Sequence, residues 1–374
     1  MSLPPLYMDH AATSPVRPEV RAAMSAAWDI GANASSVHAL GRKAKLLLEE
    51  ARETLLTAIN GTGSARLVFT SGGTEANSLA LTQARGFDRL IIAATEHDSL
   101  YRAAAQAGVP VSIAPVLANG LIDPEAFEAL LAEGGRPFVC VMRVNNETGV
   151  LQPVEALAPK VHAAGGWLHV DAVQALGKSD IDFTLWGADS LSLAAHKIGG
   201  PQGAGAFIYD ADRDIRASVT GGGQEFGLRA GTENLAGIAG FAEAVRCLSG
   251  NGSKGQAEAE AALKAAGATI IGMDAPRAGG ICCFAVPDWT AQLQLIHMDM
   301  NGICVSSGSA CSSGKVRSSR VLEAMGLEGL ADKALRVSSG WNTTPADWQR
   351  VTEVWLKGYQ THKVRQLSKV KESA

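Results

Sequence analysis

Lys197 ends the run Ala194-Ala-His196-Lys197, after the apolar stretch Ser190–Leu193 and before Ile-Gly-Gly-Pro. A lysine held between an apolar strand and a Gly-rich turn is poorly placed as a surface charge. Desolvation there would lower its pKa and aid Schiff-base formation with an aldehyde. Cys311 stands 114 residues further on (311 − 197), in Ser306-Ser-Gly-Ser-Ala-Cys311-Ser-Ser-Gly. Its neighbours are small and polar, and its thiolate would be a nucleophile. A Schiff-base lysine and a thiol on a flexible stretch are the minimum equipment for taking sulfur off an amino acid. Neither motif means much alone.

Other candidates surround these two. His169-Val-Asp171-Ala-Val-Gln174 closes an apolar strand, where a carboxylate is costly unless paired. A pyridinium nitrogen is such a partner for Asp171, and a protonated ring is an electron sink; an Asp capping the next helix is the alternative. Gln174 could reach the ring oxygen. In Thr70-Ser-Gly-Gly73-Thr74-Glu-Ala-Asn77 two glycines let a ligand approach the backbone, and the helix start offers N–H groups to a phosphate. The same stretch also reads as an ordinary turn with Thr as cap. His97 follows a strand and could stack on an aromatic ring and shuttle a proton, or be merely structural. Asn145-Asn146-Glu147-Thr-Gly could hold a phenolic oxygen of a cofactor or a carboxylate, or simply form a turn. Gly221 to Asn234, with Arg229 and Thr232, is a polar loop suited to line a site, and Arg336 is suited to fork onto a substrate carboxylate.

These residues need a scaffold that brings strand ends together. Strand-like runs at Arg66–Thr70, Arg89–Ala94, Val109–Val116, Phe138–Val144, Trp167–Val170, Ser190–Leu193 and Ala204–Tyr209 alternate with helical stretches, among them Thr74–Ala84, Ser99–Ala107 and one opened by Asp123-Pro124. The alternation predicts an α/β fold with a mostly parallel sheet covered on both faces. Ligands bind such sheets at the carboxyl ends of the strands. The Gly/Ser/Asn run 249–255 reads as a hinge, which divides the chain into a large domain, 15–248, and a smaller α+β domain formed by 1–14 and 249–374. The small domain would carry the Cys311 loop.

With 374 residues, 47% hydrophobic and 19% charged, the composition suits a soluble globular enzyme rather than a disordered or fibrous chain. Its net charge of −4 offers no basic field for nucleic acid, and Lys363, Arg365, Lys369 and Lys371 read as a solvated helix end. No apolar run reaches the ~18 residues that span a membrane. The opening Met-Ser-Leu-Pro-Pro lacks a secretion signal, so a cytoplasmic location is expected. No CxxC pair or metal-ligand spacing occurs, and no metal is expected. Cys140, Cys282 and Cys283 read as buried strand thiols, and Cys304 as a strand-end core residue.

Taken together, the chain resembles the class V aminotransferase-like pyridoxal phosphate enzymes and, within them, the cysteine desulfurases, from Tyr7-Met-Asp-His-Ala-Ala-Thr-Ser-Pro15 to Arg336. The Cys311 loop resembles that of the group I subfamily, which serves iron–sulfur assembly and nitrogen fixation. The resemblance implies fold type I with a seven-stranded sheet and pyridoxal 5′-phosphate as cofactor. It implies L-cysteine as substrate, and alanine and a Cys311 persulfide as products. The persulfide would pass to a sulfur acceptor such as an iron–sulfur scaffold protein. Lys197 would attach the cofactor, and His97 would stack on its ring and accept a proton. Asp171 and Gln174 would hold the ring's nitrogen and oxygen; Gly73, Thr74 and His196 would hold the phosphate, joined by Thr232 from the partner of a homodimer. Asn146, Arg336 and Asn33 would anchor the substrate carboxylate. Three positions and one segment depart from the family pattern: Ala194 replaces a usual Ser, Ala34 a usual Pro, Ser339 a usual Leu, and 249–275 is short. A selenocysteine lyase, another pyridoxal phosphate lyase or aminotransferase, and a non-catalytic sulfur-assembly scaffold are the rival readings.

Overall fold

The computed structural model describes residues 4–248, 253–308 and 318–372. Among the described residues thirteen strands run β1 Leu6–Tyr7, β2 Ala65–Thr70, β3 Arg89–Ala93, β4 Val111–Ala114, β5 Pro137–Met142, β6 Trp167–Asp171 and β7 Ser190–Ala194. They continue as β8 Gly205–Asp210, β9 Thr269–Ile270, β10 Ile281–Ala285, β11 Ile303–Cys304, β12 Ser306–Ser307 and β13 Ala334–Ser338. The central sheet has seven strands in the order β2-β8-β7-β6-β5-β3-β4. Strands β3 and β5 to β7 are buried at every residue, as in parallel strands covered by helices on both faces.

Only β8 runs against its neighbours, β2 and β7. Two reversals cancel, so β2 is parallel to the rest, and its carboxyl end lies on the same edge as those of β3, β5, β6 and β7. The sheet is therefore mixed but mostly parallel. The reversal also brings the start of β8 against the turn after β2. A Cβ on Gly205 would lie 2.5 Å from the Gly72 carbonyl carbon, so only glycine fits there.

The expected elements fall within a few residues of those observed, with one exception. The Ser99–Ala107 stretch is a single turn, Asp98–Tyr101, followed by a 3₁₀ turn, Ala103–Gln106. The His97 side chain caps that turn, and Gly108 at φ 77° ends the segment. The helix Pro124–Ala132 starts as read: Asp123 accepts from Glu125 N and Ala126 N at 3.0 and 3.1 Å.

The remaining strands form a four-stranded antiparallel sheet, β12-β13-β10-β9, over a core that includes Phe284, Trp348 and Trp355. The amino-terminal segment joins this part: β1 pairs with β11, and Asp9 bridges to Ser338. That attachment carries Asp9, Ala11 and Ala12 to the edge where the large sheet's strands end. Cys140, Cys282 and Cys283 are buried, whereas Cys304 is half-buried in β11. Residues 249–252 of the expected hinge lie outside the described residues. Among the described residues no helix is long and apolar enough to cross a membrane.

Candidate active site

The strand ends enclose a cleft of about 290 Å³, lined by Gly73, Thr74, His97, Asn146, Asp171, Gln174, His196, Lys197 and Arg336 among others. Nine sequence candidates from six separate segments thus meet in one place. Cys311 lies outside the described residues, but Gly308, just before its loop, reaches the cleft wall. Thr232 is exposed and does not line the cleft, and Asn33 is also exposed, its Oδ1 accepting from Ser35 N at 2.8 Å.

Lys197 Nζ donates to the carbonyls of Ala11 and Ala12, both at 2.7 Å, so the amino-terminal segment orients it. Arg336 Nη1 donates to Asn146 O at 3.0 Å and Nη2 to Asp9 Oδ1 at 2.9 Å, while its buried Nε has no hydrogen-bond partner among the described residues. Burial holds His196 down to about 4, with Lys197 and Lys178 pushing the same way. Its ring is therefore neutral at physiological pH, and Nδ1 lies 3.2 Å from Thr13 Oγ1.

Asp171 and His97 share one hydrogen-bond chain that sequence reading did not find. Trp167 Nε1 donates to Ser190 Oγ at 2.9 Å, which in turn lies 2.9 Å from His169 Nδ1. His169 Nε2 lies 3.1 Å from Asn77 Oδ1, and Asn77 Nδ2 donates to both Asp171 Oδ2 and Ser99 Oγ at 2.8 Å. Ser99 Oγ and Ser99 N both face His97 Nδ1, at 2.9 and 3.1 Å.

The direction of this chain follows from its fixed ends. An indole N–H and a backbone N–H can only donate, and a carboxylate can only accept. Burial depresses His169 to about 3, so its ring is neutral and has one donor and one acceptor nitrogen. The network then assigns the His169 proton to Nε2 and the His97 proton to Nε2, the nitrogen that Ser99 leaves for the cleft. Burial lowers the His97 pKa first of all, while Asp171 opposes and Lys197 adds to the shift. In this arrangement His97 presents a donor to the cleft; the expectation had it as an acceptor. Asn77 stood in a quoted motif, and His169 two residues before Asp171, but only the fold makes them partners.

The residues fit pyridoxal phosphate. Asp171 also accepts from Val173 N at 3.0 Å, so its carboxylate is fixed on both oxygens at the cleft floor. Gln174 donates to Ala11 O, which leaves its buried Oε1 with no partner among the described residues. The helix Gly73–Gln83 begins on Gly72 with no side-chain cap, so its first N–H groups are open to a phosphate beside Thr74 and His196. Ala194 lies close by without a hydroxyl to add. Replacing Asp171 with Asn keeps the Asn77 contact but removes the charge. Alanine formation from cysteine in a single turnover should slow by ~10²–10³-fold; an unchanged rate would remove Asp171 from the site.

A second cavity of about 230 Å³ shares His97, Asn146 and Gly308 with the first. Its wall includes Glu147, whose carboxylate accepts from Ser319 Oγ. Burial raises Glu147 to about 7, against the opposing pull of Ser319, Arg336 and Arg320. Between its ordinary value of 4.5 and about 7 the folded chain thus holds a proton that the unfolded chain has lost. Stability from this group is fully present below pH 4.5 and declines until about pH 7, by on the order of 3 kcal/mol. Urea unfolding at pH 5 and pH 8 should show a smaller loss on raising pH in Glu147→Gln than in wild type; equal losses would mean the carboxyl is not held neutral.

Comparison with known proteins agrees with this geometry. The family model described as aminotransferase class-V matches residues 6–351. A cysteine desulfurase of Cereibacter sphaeroides is 35% identical over 93% of this chain and 94% of its own length. A cysteine desulfurase IscS of Anaeromyxobacter sp. (strain Fw109-5) is also 35% identical, over 98% of this chain and 95% of its own. The X-ray structure of a NifS-like protein from Rickettsia africae superposes with a TM-score of 0.88 at 33% identity, covering 95% of this chain and 99% of the other.

Proposed function

The chain belongs to the class-V aminotransferase family, and from that premise we propose that it is a cysteine desulfurase, moving sulfur from L-cysteine onto Cys311 with pyridoxal phosphate as cofactor. The observation that carries this reading is the convergence of Lys197, Asp171, His97, His196 and Arg336 on one cleft. Near-full-length relatives named cysteine desulfurase support it.

When bound, pyridoxal phosphate would supply the electron sink that makes the substrate Cα proton acidic. Lys197 would attach it, and Asp171 would hold a proton on its ring nitrogen. Gln174 would face the ring oxygen. The N–H groups at Gly73 and Thr74, the Thr74 hydroxyl and His196 would hold the phosphate, with Thr232 of the partner in a homodimer. Asn146 and Arg336 would orient the substrate carboxylate, and Asn33 belongs to this set only if its loop moves inward.

Proton traffic falls to Lys197 and His97. Lys197 Nζ would act as a base at the substrate Cα. His97 Nε2–H can protonate a leaving or developing anion, and its Nδ1 stays fixed by Ser99. For sulfur transfer, Cys311 must arrive as thiolate, since an unperturbed thiol of pKa near 8.5 is only a few per cent ionised at pH 7. Its sulfur attacks the substrate sulfur; an S–S bond forms as the Cβ–S bond breaks, and Cβ takes the electron pair and a proton to leave as alanine. The Cys311 persulfide then meets an acceptor such as an iron–sulfur scaffold protein. The Gly/Ser composition around Cys311 suits a carrier that serves both places.

The test is stoichiometry. With L-cysteine and excess thiol reductant, the loaded protein should yield alanine and sulfide in equal amounts. Turnover of other amino acids with none of cysteine would move the assignment within the family.

A further inference from the structure

Arg229 belongs to the polar loop 221–234, yet it does not line the substrate cleft. It meets instead the helix Gly73–Gln83, whose uncapped start is the place assigned above to a phosphate. Arg229 Nε donates to Glu75 Oε1 at 2.8 Å, and Nη2 reaches Glu75 Oε2 at 3.4 Å. Glu75 Oε2 also accepts from Ser71 N at 2.8 Å. Glu75 is the third residue of the helix, so it reaches back over the turn as one half of a capping box does. Burial pushes its carboxyl up, but Arg229 and Ser71 outweigh that and hold it below the ordinary carboxylate range. Glu75 is therefore ionised at neutral pH.

An ionised acid in the first turn suits an empty helix start, because it complements the positive end of the helix dipole. The same acid opposes a phosphate dianion placed there, since its residue adjoins Thr74 and like charges repel. Arg229 is the charge that answers it. The two side chains are 25% and 20% exposed, so water screens the pair only in part. The loop is also held apart from Glu75. Ala230 N donates to Val219 O at 3.0 Å, and Glu225 accepts from Phe69 N at 2.8 Å and pairs with both Nη atoms of Arg52 at 3.0 Å. The guanidinium is thus carried to the carboxylate by a loop with anchors of its own.

We propose that Arg229 is a positioning residue for the cofactor phosphate: it cancels the Glu75 charge, so that the amides of Gly73 and Thr74 meet the phosphate without an opposing carboxylate. This role rests on the cofactor reading given above. Neither Glu75 nor Arg229 lines the cleft, so the pair acts through its net charge and through the turn it holds.

The test compares two ligands. The full chain, freed of cofactor, is titrated with pyridoxal phosphate and with pyridoxal, which lacks the phosphate, and Kd is read from quenching of protein fluorescence. Arg229→Met should weaken pyridoxal phosphate by about tenfold and leave pyridoxal unchanged. Adding Glu75→Gln to that variant should restore the affinity, and Arg229→Lys, which keeps the charge, should retain most of it. Glu75→Gln alone should tighten pyridoxal phosphate by roughly threefold. If Arg229→Met does not fold, that single variant decides, and unchanged or weaker binding by it overturns the proposal. An unaffected Arg229→Met overturns it too, as does an equal loss of both ligands, which would mark Arg229 as support for the fold. A loss that Glu75→Gln does not relieve has the same consequence. A wild type that binds no pyridoxal phosphate overturns the cofactor reading itself, and this role with it.

Discussion

Lys197→Ala should lose at least ~10³-fold in alanine formation from cysteine while remaining folded. The expectation rests on position as much as on residue type. Lys197 follows β7 directly, in a 3₁₀ turn that ends the strand, and its Nζ is held by two carbonyls of the amino-terminal segment. No other lysine lines the cleft among the described residues, so no neighbour can substitute for it. Lys178 sits behind the wall and lines a different cavity. A circular dichroism melt separates a folding defect from a chemical one. Partial recovery of the rate by added methylamine would identify the missing group as an amine; wild-type turnover by the variant would remove Lys197 from the mechanism.

Cys311→Ala should bind cysteine yet release no sulfide above the rate of an unloaded control, a loss of ~10³-fold or more. In sequence the thiol stands among small polar residues, unlike Cys140, Cys282, Cys283 and Cys304. Cys140, Cys282 and Cys283 are buried in strands, where desolvation pushes their thiols up and away from the reactive thiolate. Burial raises Cys304 too, and its place in β11 opposite Tyr7 ties it to the sheet. Cys304→Ala is therefore the control expected to keep sulfide release. Sulfide released normally by Cys311→Ala, or lost in both variants, would reassign the nucleophile. Cys311→Ser should behave as Cys311→Ala, because a hydroxyl cannot form a persulfide.

Much of this site was legible in the order of residues. Asp171, Lys197 and His97 each follow an apolar run at a point where a charged or titratable side chain is costly, and Gly73 and Thr74 open a helix. In an alternating β/α pattern all such points fall on one edge of the sheet, so the motifs could be assigned to a common cleft before any distance was known. The short turns around His97 were less readable, since a side-chain cap and a glycine decided where the helix stopped.

The sequence by itself therefore determined the family, the α/β pattern and the chemically capable residues, because period, polarity and glycine placement are local properties. Tertiary structure decided that His97 and Asp171 are joined. Their link runs through Ser99 and Asn77 and continues to His169, Ser190 and Trp167, so that its members lie up to 113 residues apart (190 − 77) and meet only once the chain is folded. It also decided that the Lys178 amine is closed off with no hydrogen-bond partner among the described residues, and that burial raises Glu147 to about 7. Burial and the placing of opposite charges are properties of the packed interior, and no stretch of chain carries them alone.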